Sequence, residues 1–182
     1  MHLTSAWGLF SSKAIDTGTK LLLEQIREYP PVNRVLDLGC GYGVIGLVIA
    51  ARWPEAVVSC VDKDVLAVET TEKNINSNEL SNATAVLSPG FRDIPIGPYD
   101  LIVSNLPAQA GNGAIDELLL GSFDHLKNDG VLIVVTVAGL RHYIKRRLQS
   151  IFGNYNRVKL TERHIVSEAR RTTENTFEQT LN

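Results

Sequence analysis

Between positions 35 and 46 the chain reads Val35-Leu36-Asp37-Leu38-Gly39-Cys40-Gly41-Tyr42-Gly43-Val44-Ile45-Gly46. A short apolar run that suits a buried strand opens straight onto glycines, and the apolar residues beyond them take up helical spacing. Glycine has no Cβ, so the backbone can turn sharply and a ligand can approach the main chain. A strand, a glycine turn and a helix in that order start a parallel α/β unit, because a parallel neighbour needs a helical crossover. The rest of the chain continues the alternation. Ile15, Thr19, Leu22, Leu23 and Ile26 mark an amphipathic helix that Pro30-Pro31 ends. Arg34–Leu38 reads as the first strand, Val44–Arg52 as a helix and Ala56–Val61 as a second strand. Asp64 caps a helix running to about Asn76, with Asn78 as its left-handed stop. Ala83–Leu87 and Tyr99–Ser104 follow as strands, then a helix around Ala114–Leu126, the strand Val131–Val137 and a helix over Leu140–Phe152. Arg157–Leu160 and Thr176–Leu181 are expected to close the sheet as an antiparallel pair. The expected fold is α/β: one doubly wound, mostly parallel sheet with helices on both faces and a C-terminal antiparallel strand pair.

Composition removes several other classes. With 182 residues and 44% hydrophobic content, the chain can bury a core without disulfide or metal staples and is too apolar for disorder. One domain is expected over 1–182, with an N-terminal helical segment over 1–30 and a core over 31–182. The apolar runs fall far short of the ~18 residues of a membrane span, and the start lacks the basic head of a signal peptide. A cytoplasmic location without membrane association is expected. Cys40 and Cys60 are the only cysteines, neither beside a ligand-like neighbour, and the four histidines are scattered, so no metal site is assigned.

Two ligand classes fit the glycine turn. Gly41-x-Gly43-x-x-Gly46 is a literal dinucleotide fingerprint, with Asp62 and Asp64 near the distance expected of a ribose-binding acid. On that reading the turn holds a pyrophosphate. Asp37 argues against it, because a carboxylate about 4 Å from a phosphate costs roughly 1–4 kcal/mol. S-adenosyl-L-methionine carries an ammonium and a sulfonium and no phosphate, so charge matching favours it. Asp62, closing the second strand, can accept both ribose hydroxyls. Cys40 reads as a small buried filler.

These residues carry a resemblance. The chain is similar to the class I S-adenosylmethionine-dependent methyltransferases, and within them to the small-domain group that includes ribosomal RNA guanine-amine methyltransferases. The Asp37–Gly43 block resembles that family's donor loop, and Asp62 its ribose-binding acid. Ala67-Val68-Glu69 through Asn74, and Asn78-Glu79-Leu80, follow the pattern of the next helix. Upstream, Gly8-Leu9-Phe10-Ser11 and Asp16-Thr17-Gly18-Thr19-Lys20-Leu21-Leu22 resemble the segment that closes over the donor. The resemblance covers roughly 8–140. It implies a Rossmann-like methyltransferase fold and S-adenosyl-L-methionine as donor. The implied donor contacts are Asp37, Gly39, Cys40, Gly41, Asp62, Lys63, Phe91 and Asn105, with Phe10 and Thr19 from the upstream segment.

On the acceptor side, Tyr99–Ala108 ends in Ser104-Asn105-Leu106-Pro107-Ala108. The family carries Asn or Asp, then two prolines and an aromatic there. An amine conjugated to a base or a carbonyl is a poor nucleophile. An Asn oxygen and a neighbouring carbonyl that accept its N–H bonds fix it and favour tetrahedral nitrogen, without a titrating base. Asn105, Leu106 and Pro107 are therefore the expected catalytic residues. Leu106 and Ala108 depart from the pattern, and the lost aromatic removes a stacking contact worth ~1–3 kcal/mol. Pro89 likewise stands where the family often has an acid for the adenine. The expected reaction is methyl transfer to an amino nitrogen, of RNA in first place. A small-molecule or protein-amide N-methyltransferase and a non-catalytic donor-binding subunit stay open, and an NAD-dependent oxidoreductase is the remote alternative. Residues 141–171 hold nine Lys and Arg against Glu162 and Glu168, a local charge of +7 that suits RNA phosphates. A homodimer or a partner subunit is the expected source of further substrate recognition.

Overall fold

The structure, a computed structural model, describes residues 2–5, 15–94, 97–106 and 111–173. The elements run α1 (Thr17–Ile26), β1 (Arg34–Leu38), α2 (Val44–Arg52), β2 (Val57–Asp62), α3 (Val65–Ser77), β3 (Ala83–Leu87) and β4 (Tyr99–Asn105). They continue as α4 (Gly111–His125), β5 (Leu126–Val137), a 3₁₀ turn (Ala138–Leu140), α5 (Arg141–Phe152), β6 (Asn156–Leu160) and β7 (His164–Arg170). The strands form one sheet in the order β3-β2-β1-β4-β5-β7-β6. The pairs from β3 to β5 are parallel, while β7 runs antiparallel to both β5 and β6. The architecture is thus the mostly parallel, doubly wound sheet expected.

Side chains alternate across this sheet with a period of two. Val35, Leu101, Val103, Ile133 and Val135 join Leu22 and Ile26 of α1 and Ile45, Leu47 and Ile49 of α2 in one core layer. Leu36, Leu38, Ile102, Leu132 and Val134 face the other way, against Ile115, Leu119 and Phe123 of α4 and Ile144, Leu148 and Phe152 of α5. Helices on both faces follow from strands that are apolar on both faces. The register that pairs Asp37 with Cys60 and Val103 puts Asp37 on the α2 side, among core residues.

Several boundaries differ from expectation. Asp16 caps α1 by accepting a hydrogen bond from the Thr19 amide, so the helix starts at Thr17 and not at Ile15. Asp64 caps α3 as expected, but the left-handed residue after that helix is Glu79 (φ 56°), not Asn78 (φ −107°). Asn78 keeps a negative φ while its side chain donates to the Asn74 and His2 carbonyls. The strand that pairs with β6 is β7, His164–Arg170, and Thr176–Leu181 lies outside the described residues. β7 sits between two strands, and Ile165, Val166, Ser167 and Ala169 are all buried. Such a strand lacks clear alternation, and its polar ends His164 and Arg170 disguise it.

Candidate functional site

In the strand order β1 and β4 are neighbours, and the connection leaving β1 for β2 runs opposite to the one leaving β4 for β5, which opens a crevice at their C-terminal ends. The glycine turn forms one wall. Gly39 (φ 72°) and Gly41 (φ 59°) both hold left-handed backbone, and a Cβ on either would project into open space. A ligand can therefore reach the main chain at both positions. The turn is held from below: Thr71 donates to the Gly41 carbonyl at 2.9 Å and Asn74 to the Tyr42 carbonyl at 2.9 Å. Gly39 and Cys40 both donate their amides to the Val61 carbonyl.

Asp37 lies beneath this turn with no exposed surface, and its Oδ2 accepts a hydrogen bond from the Gly46 amide at 2.7 Å. Its Oδ1 is buried and has no partner among the described residues. Burial pushes its carboxyl up to about 7, the Gly46 bond opposes this, and the charge of Asp62 adds to the rise. The sequence reading has Asp37 facing a ligand; the structure puts it on the core side of the turn because its register position is a core position. Asp62 is half-buried at the end of β2. Its two oxygens accept from the Gly41 amide at 2.9 Å and the Asp64 amide at 3.1 Å, leaving each oxygen a second lone pair. Lys63 is exposed in the next turn. Cys40 and Cys60 are buried and burial pushes both thiols well above their usual range, so neither is a nucleophile.

Asn105 forms the facing wall at the end of β4. Its Nδ2 donates to Asp16 Oδ2 and to Thr19 Oγ1, both at 3.0 Å. A carboxylate only accepts hydrogen bonds, so the amide nitrogen faces α1 and Oδ1 faces the other way. The Leu106 amide donates to the Val135 carbonyl at 3.0 Å, which fixes that peptide beside Asn105. Ser104 donates to the Leu38 carbonyl and joins the two walls. Thr19 thus touches Asn105 directly. Phe91 is placed elsewhere: its ring stacks on His125 at 4.6 Å and packs on Gly121 of α4, so the ring serves the protein's own packing. Pro107 and Phe10 lie outside the described residues. Sequence reasoning left Asp16, Thr71 and Asn74 off the site. Their signal was present as an acid just before an apolar helix, and as two polar residues on the buried face of α3.

The wall around the turn carries two carboxylates and an unpartnered buried oxygen. A pyrophosphate there would raise the cost of both acids, whereas a cationic, phosphate-free nucleoside would relieve it. S-adenosyl-L-methionine fits the residues present on that ground. A parallel sheet with an acid and glycine turn after β1, an acid closing β2 and an amide closing β4 defines the Rossmann-like methyltransferase fold. The chain belongs to the methyltransferase small domain family, which matches residues 1–168. Among similar proteins, the ribosomal RNA small subunit methyltransferase C of Haemophilus influenzae (strain PittEE) is 39% identical over 152 residues, 81% of this chain and 44% of that protein. The uncharacterized protein YbxB of Bacillus subtilis (strain 168) is 32% identical over 133 residues, 72% of this chain and 66% of that protein. A solved structure, the T. Thermophilus 16S rRNA N2 G1207 methyltransferase (RsmC) in complex with AdoMet and guanosine, superposes with a TM-score of 0.81 and 28% identity. It is covered to 45% by this chain, which is itself covered to 90%. The chain thus spans less than half the length of these ribosomal RNA methyltransferases.

Proposed function

We propose that the chain transfers a methyl group from S-adenosyl-L-methionine to an amino nitrogen of RNA, in first place the exocyclic amine of a guanine in ribosomal RNA. The observation that carries this reading is Asn105, an amide at the end of β4 whose nitrogen is engaged by Asp16 and Thr19 and whose oxygen is thereby turned outward. The complex of RsmC with AdoMet and guanosine supports the same pairing of donor and acceptor class. A ribosomal RNA acceptor would place the reaction in the cytoplasm.

In this reading Gly39, Cys40 and Gly41 offer main chain to the donor, Asp62 accepts its ribose hydroxyls, and Asp37 sets a negative potential under its cationic end. Lys63 and the main chain at Phe91 lie on the adenine side. Phe10 and Thr19 belong to the 1–30 segment, which closes over the donor bound by the 31–182 core. The donor supplies an electrophilic methyl group when bound. Asn105 Oδ1 and the Leu106 carbonyl accept the two N–H bonds of the acceptor amine, and Pro107 stiffens the peptide that follows. Holding both N–H bonds directs the nitrogen lone pair along one line and draws it out of conjugation. Positioning of this kind supplies several kcal/mol of barrier lowering without a general base. The proton leaves the methylated nitrogen to solvent.

Incubation with methyl-labelled donor and total RNA, protein and small-molecule fractions tests the reading. Label released by nuclease alone is the expected result. Label in protein or in a nuclease-resistant, low-mass product overturns the RNA acceptor, and donor binding without any label makes the chain a non-catalytic subunit.

A further inference from the structure

The nine basic residues of 141–171 do not act alike. Arg147 pairs with Asp116 at 2.8 Å, and Arg146 lies over the Tyr143 ring at 5.8 Å. Arg170 donates to the Asp129 carbonyl, and Arg171 to the Asp124 and Leu126 carbonyls. Those carbonyls lie at the entry to β5, the end of the sheet away from Asn105. Lys159 and Arg163 are exposed on β6 and the turn after it. A different set is gathered in one place, although Arg141 of that set also donates to a carbonyl, that of Ala138 at 3.2 Å. Arg141, His142, Lys145 and Arg157 line a cleft of about 410 Å³ between α5 and the β6–β7 edge, with Tyr155, Leu160 and Ile165 completing its walls. No carboxylate is among the lining residues, and Lys145 Nζ lies 5.9 Å over the Tyr155 ring.

Topology puts the mouth of this cleft on the rim that carries Asn105. Asn105 pairs with Val135 in the sheet, Val137 pairs with His164, and α5 begins at Arg141, just past the 3₁₀ turn. The start of α5 adds to the positive potential. The helix has no side-chain cap and no acid in its first turn, so no carboxylate offsets the positive end of its dipole, while the Arg141 amide itself bonds the Ala138 carbonyl of the 3₁₀ turn. Arg141 and Lys145 stand one turn apart on it, about 6 Å along the axis. Cations stepped along a groove, at the positive end of a helix, match a track of successive phosphates and not a single small anion.

We infer that this cleft is the seat of an RNA strand's phosphodiester backbone next to the target nucleotide, with Arg141, Lys145 and Arg157 as its phosphate contacts and His142 at the mouth. This rests on RNA being the acceptor. It assigns recognition to three of the nine cations and makes the others bystanders.

Two variants that each remove three positive charges test it. One is Arg141→Gln, Lys145→Gln, Arg157→Gln in the cleft; the other is Arg146→Gln, Lys159→Gln, Arg163→Gln outside it. Binding of a labelled single-stranded RNA of about 16 nucleotides is followed by fluorescence anisotropy without donor, between roughly 50 and 200 mM salt. The cleft variant is expected to bind at least ~10-fold more weakly at low salt and to lose about 2 units of slope in log affinity against log salt, at ~0.7 per phosphate. The outside variant stays within about 2-fold. Equal losses in both variants, or none in either, overturn the cleft. Should the cleft variant fold poorly, the single reversal Lys145→Glu carries the same test. Binding through the cleft with no label transferred to RNA would sink the methyl-transfer reading and leave the cleft standing. Labelled RNA with both variants unimpaired would do the opposite.

Discussion

The hydrogen bonds that shape the glycine-turn wall of the crevice join residues 9 to 32 positions apart, from Asp37–Gly46 to Tyr42–Asn74. Those that hold Asn105 on the facing wall reach back 86 and 89 positions, to Thr19 and Asp16. The first wall is one supersecondary unit that folds together with the core beneath it. The second is assembled only when α1 docks, and its two hydrogen bonds to Asn105 add little to the stability that burial of Leu22 and Ile26 of α1 already supplies, while their long-range closure costs entropy. Damage to the turn should therefore appear as lost stability, and damage around Asn105 as lost activity in a folded protein.

The largest effect breaks the turn wall. A Cβ on Gly46 would lie 2.3 Å from Cys60 Sγ and 3.1 Å from Asp37 Oδ2. Gly46→Val is expected to cost roughly 3 kcal/mol or more in chemical denaturation, since the neighbours are buried strand residues. Gly46→Ala should be milder, and adding Cys60→Ala should recover part of its loss. If Gly46→Val keeps wild-type stability, the turn is not coupled to the core.

Asn105→Ala addresses the other wall. Methyl transfer is expected to fall ~10²–10³-fold, the scale of one lost transition-state hydrogen-bonding group. Donor affinity should stay within a few fold and the melting temperature nearly unchanged, because Asn105 is only partly buried. Equal losses in donor binding and transfer would show that the two walls are not separable.

Asp37 offers a pH-dependent check on the turn wall. Its carboxyl stands at about 7 in the folded chain against an ordinary 3.8. The folded state therefore holds a proton that the unfolded state has released between those values, and stability falls as pH rises through that window. Asp37→Asn removes the proton exchange. Relative to Asp37→Asn, the wild type should lose on the order of 3 kcal/mol from about pH 4 to pH 7 and level off about one pH unit above that. Saturating S-adenosyl-L-methionine should shrink that loss. A pH-independent difference would mean that Asp37 is not buried as described.

The same contrast explains what the sequence discloses. The turn, the acid after β2 and the order of β1 to β5 are local patterns, so period and glycine spacing reveal them. Asp37 was recognised but aimed at the ligand, since its face depends on which partners β1 takes in the sheet. β7 escaped because a strand enclosed on both sides loses its alternation. That the Phe91 ring is taken up by packing is not legible locally, because nothing in the sequence shows that Gly121 of α4, which leaves room for the ring, lies against it. Nine cations within 31 positions read as one basic stretch, and only the packing of α5 on β6 and β7 sorts them.

The smallest effect sharpens the comparison most. Asp16 Oδ2 accepts from both the Thr19 amide at 3.2 Å and Asn105 Nδ2 at 3.0 Å, so one oxygen caps α1 and orients the amide. Asp16→Ala removes both bonds. It should cost about 1 kcal/mol of stability through the cap. It should also lower kcat ~10-fold, because Thr19 alone leaves the Asn105 amide free to turn its nitrogen toward the acceptor. Asp16→Asn keeps an acceptor oxygen in place and should restore the cap and most of kcat, with donor affinity unchanged throughout. A purely structural Asp16 would show a stability loss without the kcat loss. A donor-binding Asp16 would change affinity, and Asp16→Asn would not rescue it. The rescue pattern thus separates an Asn105 positioned by α1 from one positioned by β4 alone.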